Sequence, residues 1–236
     1  MSKPKIQPLK VTFEVDSAGL IYDPFSPPML DGLIDWALSP LVRNKGGVSP
    51  GRGELPDEIR LPLGTWHVGN LWGWCASAIL PADGVTPRET IQHFRKKFRT
   101  NRISLTTGTP NLQSGATREY NLPYANQLPD ETDLEKVFGQ MIAYCMGDRH
   151  TIDSLLKRNV RYLGKKKHRG RGRVEGIIVE VCENDYSLTC DGKAMRWLPT
   201  MAGLREVRLR PPYWNNNGRV PCCEVGDEYH GVISQP

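Results

Sequence analysis

At 236 residues, with 39% apolar and 24% charged side chains, the chain holds enough apolar material for a packed core, which excludes a disordered protein. Its 23 glycines and 19 prolines imply many turns and long connections, and so a strand-rich or mixed α+β fold rather than a helical bundle. Lysine and arginine total 31 against 26 aspartate and glutamate, an excess too small to mark the whole surface as basic.

Residues 9–16 alternate apolar and polar side chains with Val11, Phe13 and Val15 on one face, which predicts a first strand. After a turn-rich stretch, Pro27 and Pro28 precede a predicted helix over 29–38. There Leu30, Leu33, Ile34, Ala37, Leu38 and Leu41 share a face, and Asp31 and Asp35 are expected to cap it or form salt bridges. Residues 44–57 are rich in Gly and Pro and read as a loop. The apolar block 59–81 contains Trp66, Trp72 and Trp74, and its end, 72–80, reads as a buried central strand. A Trp in such a block is more often core than a stacking platform.

Residues 93–102 form a basic cluster, Arg95, Lys96, Lys97, Arg99 and Arg102, with Phe94 and Phe98 spaced to bury together on a helix or to serve base stacking beside the charges. Strand and loop character over 103–129 reads as a projecting insertion. Residues 131–146 read as a helix, because Leu134, Val137, Phe138, Met141, Ile142 and Cys145 fall on one helical face. A second helix is expected over 151–158.

The most informative stretch follows. Nine of the seventeen residues 157–173 are Lys or Arg and none is acidic; outside it, acidic residues outnumber basic ones. Gly164, Gly170 and Gly172 lie among the charges, and an apolar strand over 174–182 comes next. A plain solvated face needs no glycines. A focused positive field with flexible backbone suits a phosphate backbone. Near the C-terminus, residues 205–214 alternate like an edge strand stopped at Pro211, with Tyr213 and Trp214 as candidates for an exposed contact or equally for a subunit interface.

Six cysteines, at 75, 145, 182, 190, 222 and 223, lack paired spacing and read as core thiols. Cys222, Cys223 and His230 make a poor metal set, since adjacent cysteines chelate one ion badly. No metal or other cofactor is expected. No run is long and apolar enough to span a bilayer, and Met-Ser-Lys-Pro-Lys has no apolar segment behind it, so a cytoplasmic protein without a membrane or secretory segment is expected.

The predicted order is strand, helix, strand pair, helix, Gly-rich loop, strand. This is the split βαβ pattern of a ferredoxin-like, RRM-like α+β fold with insertions. It assigns 1–82 and 131–210 to a ferredoxin-like RNA-binding core, 83–130 to an insertion or thumb-like element, and 211–236 to a tail that wraps the surface.

The helix, then Tyr-Leu-Gly-Lys-Lys-Lys-His-Arg-Gly-Arg-Gly-Arg-Val at 162–174, then a strand, resembles the glycine-rich loop of the CRISPR-associated RAMP superfamily. The early Met-Leu-Asp-Gly-Leu-Ile-Asp-Trp-Ala helix and the Arg-Pro-Pro-Tyr-Trp at 210–214 are similar to one branch, the small subunit that caps the guide's 5′ handle in type IV Cascade-like complexes. The resemblance covers three separated stretches, about a quarter of the chain. It departs from many members in carrying Arg171, rather than an aromatic or aliphatic residue, between the last two glycines. It implies a CRISPR RNA-binding subunit, with backbone and large subunits as partners and target DNA nearby. The implied RNA contacts are Arg161, Gly164, Lys165, Lys166, Lys167, His168, Arg169, Gly170, Arg171, Gly172 and Arg173, joined by the basic cluster at 95–102. In this branch, guide cleavage belongs to another subunit. The alternative is a metal-independent endoribonuclease of the same superfamily, using His67 or His168 with a lysine, but no acid–base pair is evident and no catalytic residue is expected.

Overall fold

The structure is a computed structural model that describes residues 5–43, 60–85, 87–94, 131–164, 171–203, 205–213 and 217–235. The chain divides into two compact units, Met1–Arg88 with Val137–Pro236, and Glu89–Lys136.

The first unit is built on a four-stranded antiparallel sheet. Strand β1 (Ile6–Val15) leads through a turn to the short β2 (Leu20–Ile21) and then to helix α1 (Leu30–Arg43). A hairpin follows, β3 (Thr65–Val68) with β4 (Leu71–Trp74), and then β5 (Leu80–Pro81). Strands β6 (Arg88–Phe94) and β7 (Glu131–Phe138) supply the strands of the second unit, and the last two residues of β7 pair with β2. Next come β8 (Gln140–Asp148), α2 (Arg149–Asn159) and β9 (Val174–Val181). The main sheet runs β5-β8-β1-β9. Phe13 stands opposite Met141 on one side and Ile177 on the other, so β1 lies in the middle.

Alternation along β1 sends Leu9, Val11, Phe13 and Val15 to one face, where they meet Leu30, Ile34 and Ala37 of α1 and Ile152, Leu155 and Leu156 of α2. Each fully buried Leu, Ile or Phe here contributes about 1.5–3 kcal/mol. Helix α2 is stopped cleanly at both ends. Asp148 accepts from Thr151 N at 2.8 Å at the N-terminus, and Val160 N returns to Leu156 O at 2.9 Å at the C-terminus.

The predicted helix over 131–146 is overturned: β7 and β8 occupy those residues. Strand β8 is central and apolar on both faces. Met141, Ala143 and Cys145 face the helices, while Ile142, opposite Leu80 of β5 in the pairing, is also buried. A strand buried on both sides loses its period-two signal and reads as a continuous apolar run. The expected central strand over 72–80 is also corrected. Its first residues close the β3–β4 hairpin, Ala76 and Ala78 make only single bridges, and β5 is a two-residue edge. The first strand, first helix, second helix and the strand after the Gly-rich loop lie where the sequence predicts them, within a few residues.

The remaining strands are β10 (Thr189–Cys190), β11 (Lys193–Ala194), β12 (Leu198–Pro199), β13 (Arg205–Arg208) and β14 (Arg219–Cys223). The last three form a sheet ordered β12-β14-β13, so residues expected within a surface-wrapping tail supply a central strand. This sheet and the β3–β4 hairpin enclose a second core around Trp66, Leu188, Trp197, Leu198, Val207 and Leu209.

Between the two cores lies a buried polar hub. Arg196, 1% exposed, donates to Asp31 Oδ2 at 3.3 Å, Ala76 O at 2.9 Å, Leu209 O at 2.7 Å and Tyr213 OH at 3.2 Å, and also to Trp74 O. Tyr213 OH lies 2.7 Å from both Asp31 oxygens, and Gly32 N donates to Asp31 Oδ1. Burial pushes the Asp31 carboxyl up, while Arg196, Tyr213 and the Gly32 amide pull it back. A Cβ on Gly32 would stand 3.1 Å from the Tyr213 ring, so the Asp-Gly pair in α1 is shaped by this contact. The salt bridge expected for Asp31 is therefore present, whereas Tyr213, expected as an exposed contact, is half-buried: its hydroxyl is bound to Asp31 and Arg196 and tethers α1 to the segment after β13.

Candidate nucleic-acid interface

The Gly-rich basic loop begins and ends in a hydrogen-bonded stem. After α2 is capped, Leu163 N donates to Gly172 O at 2.7 Å and Val174 N to Arg161 O at 3.0 Å, with Tyr162 bridged to Arg173. The second leg is also tied to the β1–β2 turn. Gly172 N donates to Gly19 O at 2.9 Å and Asp16 N to Arg173 O at 3.0 Å.

Two glycines are required by this geometry. Gly172 has φ +72, and a Cβ there would lie 2.2 Å from Leu163 O; Gly164 has φ +77, and its Cβ would press on Leu20. Arg171, the departure noted from the resembling loops, lays its guanidinium on the same turn and donates to Ala18 O at 2.5 Å. Arg161, Tyr162 and Arg173 are exposed on the stem. Between its ends, Gly164 and Arg171, the sequence places Lys165, Lys166, Lys167, His168, Arg169 and Gly170, which lie outside the described residues. The cluster Arg95, Lys96, Lys97, Arg99 and Arg102 lies outside them too, as does Trp214.

A groove of about 670 Å³ opens beside the stem. Leu163, Gly164 and Arg171 form one end, residues 20–29 one wall, and the edge strand β13 the other. Arg205, Arg208 and Arg219 bring further positive charge, against Asp23 and Glu206.

The family model described as CRISPR type IV associated protein Csf3 matches residues 7–225. The chain belongs to that family. No curated protein matches it.

In this Csf3 family member, sequence reasoning singled out the loop but missed Tyr162 and the groove arginines. Tyr162 is a 43% exposed aromatic flanked in space by basic residues, and its place directly before the Leu-Gly of the loop was the available signal. Arg205 and Arg208 were visible only as charged positions of a predicted edge strand, and Arg219 only as part of the predicted tail.

The tryptophans divide. Trp66 is fully buried and donates to Trp74 O at 3.1 Å, and Trp72 and Trp74 meet edge to face at 5.5 Å. Arg210 sits 3.7 Å over the Trp72 ring, so one face of that indole is already covered.

His67 is exposed on β3, and its backbone pairs with Ser234; its imidazole has no hydrogen-bond partner among the described residues. Cys222 lies in the second core, where burial pushes its thiol up to about 12, while Cys223 turns to Leu198 O. His230 is exposed beside Glu228 at 3.6 Å. No group of three metal-ligating side chains occurs among the described residues. No described helix is long and apolar enough to cross a membrane.

Proposed function

We propose that this Csf3 family member is the RNA-binding subunit of a type IV CRISPR effector complex that grips the 5′ handle of the guide and anchors the backbone subunits. The observation that carries the reading is the stem of the Gly-rich loop. A rigid two-legged mount, fixed to α2 and to the β1–β2 turn, holds the ends of a segment in which five of six residues are Lys, His or Arg. Phosphate contacts from Lys165, Lys166, Lys167 and Arg169 would supply most of the affinity, with Arg161 and Arg173 on the stem and Tyr162 available to stack on an unpaired base. His168 and the chain amide of Gly170 would add to these contacts. The cluster Arg95 to Arg102 would line the path of the guide or the target strand.

A ferredoxin-like core of the RAMP kind is part of the proposal. Its support is the order β5-β8-β1-β9, with α1 following the first of these strands in sequence and α2 following the third. Contacts with backbone and large subunits are supported by large apolar side chains left in water, among them Phe25 at 69% exposure and Trp36 at 54%. Guide cleavage is assigned to another subunit in this reading, and the expected compartment is the cytoplasm, where the guide is made and target DNA lies.

The test is one gel. Full-length protein is incubated with labelled repeat RNA in EDTA and scored for shift and for cleavage. A salt-sensitive shift with intact RNA, lost in Lys165→Ala, Lys166→Ala, Lys167→Ala combined, is the expected outcome. Discrete cutting within the repeat, abolished by His67→Ala or His168→Ala, would replace the capping subunit with a processing endoribonuclease.

A further inference from the structure

The groove beside the loop stem has features that its own fold does not explain. Strand β13 pairs with β14 so that Arg208 stands directly opposite Arg219. Like charges in that position repel and destabilise a strand pair. Arg208 Nη1 is buried and has no hydrogen-bond partner among the described residues, although a buried guanidinium nitrogen is normally satisfied. Neither Asp23 nor Glu206, the two carboxylates of the groove, forms an ion pair with either arginine among the described residues. The other two groove arginines are committed to the protein. Arg205 donates to Phe25 O and covers Trp197 at 5.6 Å, and Arg171 donates to Ala18 O. An opposed arginine pair with an orphaned donor is a site short of one anion.

The walls between the charges are mostly apolar, with Leu20, Met29, Leu163 and Val207 among the lining residues. A volume of about 670 Å³ falls in the range of sites that enclose a small molecule. Anion recognition beside an apolar slot matches the two halves of a nucleotide. Because Gly164 and Arg171 belong both to the loop stem and to the groove, a strand lying on the loop can enter the groove without leaving the surface.

We propose that this groove holds one nucleotide of single-stranded RNA, with its phosphate on Arg208 and Arg219 and its base on the apolar floor between residues 20–29 and β13. The inference rests on the handle-binding reading and adds to it a second contact, made by the C-terminal sheet.

The probe is a repeat-derived RNA carrying 4-thiouridine at successive positions, bound to the full-length chain, cross-linked and mapped to peptides. One position is expected to cross-link to residues 20–29 or 205–208. The double variant Arg208→Ala, Arg219→Ala is expected to lose about tenfold in affinity, and its log affinity against log salt slope is expected to fall by about 0.7 for each phosphate contact removed. Arg208→Lys with Arg219→Lys keeps the charge and is expected to restore most of the loss. Unchanged affinity in the alanine pair, with no cross-link in the groove peptides, overturns the groove and leaves the loop reading standing if the Lys165–Lys167 variant still abolishes binding. Wild-type protein that does not bind the RNA overturns both. Equal binding of the DNA oligonucleotide of the same sequence overturns the assignment to RNA. If the alanine pair melts at a lower temperature, the wild-type cross-link decides.

Discussion

Gly172 and Asp31 were chosen by geometry that local sequence preference does not reveal. At Gly172 both the positive φ and the 2.2 Å approach to Leu163 O exclude a side chain. Gly172→Ala should cost about 1–3 kcal/mol in urea unfolding and should weaken RNA binding more than Gly170→Ala, if the stem is what orders the loop. Asp31 is fully buried against Arg196. Asp31→Ala strands that guanidinium, and a loss of about 3–5 kcal/mol is expected by chemical denaturation, a large share of the roughly 5–15 kcal/mol that holds an ordinary protein folded. Tyr213→Phe keeps the ion pair and removes only its hydroxyl, so it should cost about 1 kcal/mol. The sequence marked only one half of this ion pair. Asp31 stood in a helix where a salt bridge was expected, while its partner, Arg196, 165 positions away, carried no local signal at all.

Helix α2, expected over 151–158 and observed at Arg149–Asn159, was legible because its buried face repeats at helical spacing, and Asp148 caps it. The hydrogen bonds from Thr151 hold the Asp148 carboxyl below its ordinary value. A lowered carboxylate contributes stability that is complete above its unfolded value near 3.8 and is lost as the pH falls through the folded value. Asp148→Ala should therefore cost about 1 kcal/mol at neutral pH, and the gap from wild type should close as the pH drops below that range, read by thermal melting at each pH. Strand β8 was the least legible element. Its apolar residues fit helical spacing as well as strand burial, and only its neighbours β1 and β5 decide between the two. Isolated sequence cannot supply those neighbours. The groove escaped notice for the same reason: residues 20–29, the loop stem and β13 are brought together only by tertiary pairing.

For the molecule as a whole, both cores and the polar hub belong to the unit Met1–Arg88 with Val137–Pro236. Replacing residues 89–136 with a Gly-Ser linker should leave the melting temperature of that unit within a few degrees of the parent, as followed by circular dichroism. A collapse of the cooperative transition would mean that the second unit is needed for the first to fold. The sheet order carries a consequence for how the chain is made. β1 occupies residues 6–15, yet its two neighbours are residues 140–148 and 174–181. On a ribosome, the strand emerges first and waits, with both hydrogen-bonding edges bare, through well over a hundred further additions. At about 5–20 residues per second, that interval is on the order of ten seconds. An unpaired strand of such apolar character is a template for the wrong partner throughout it. Stalled or truncated translation products of this gene should therefore be insoluble unless a chaperone holds them, and yield in the cell should depend on how quickly the ribosome reaches Val181.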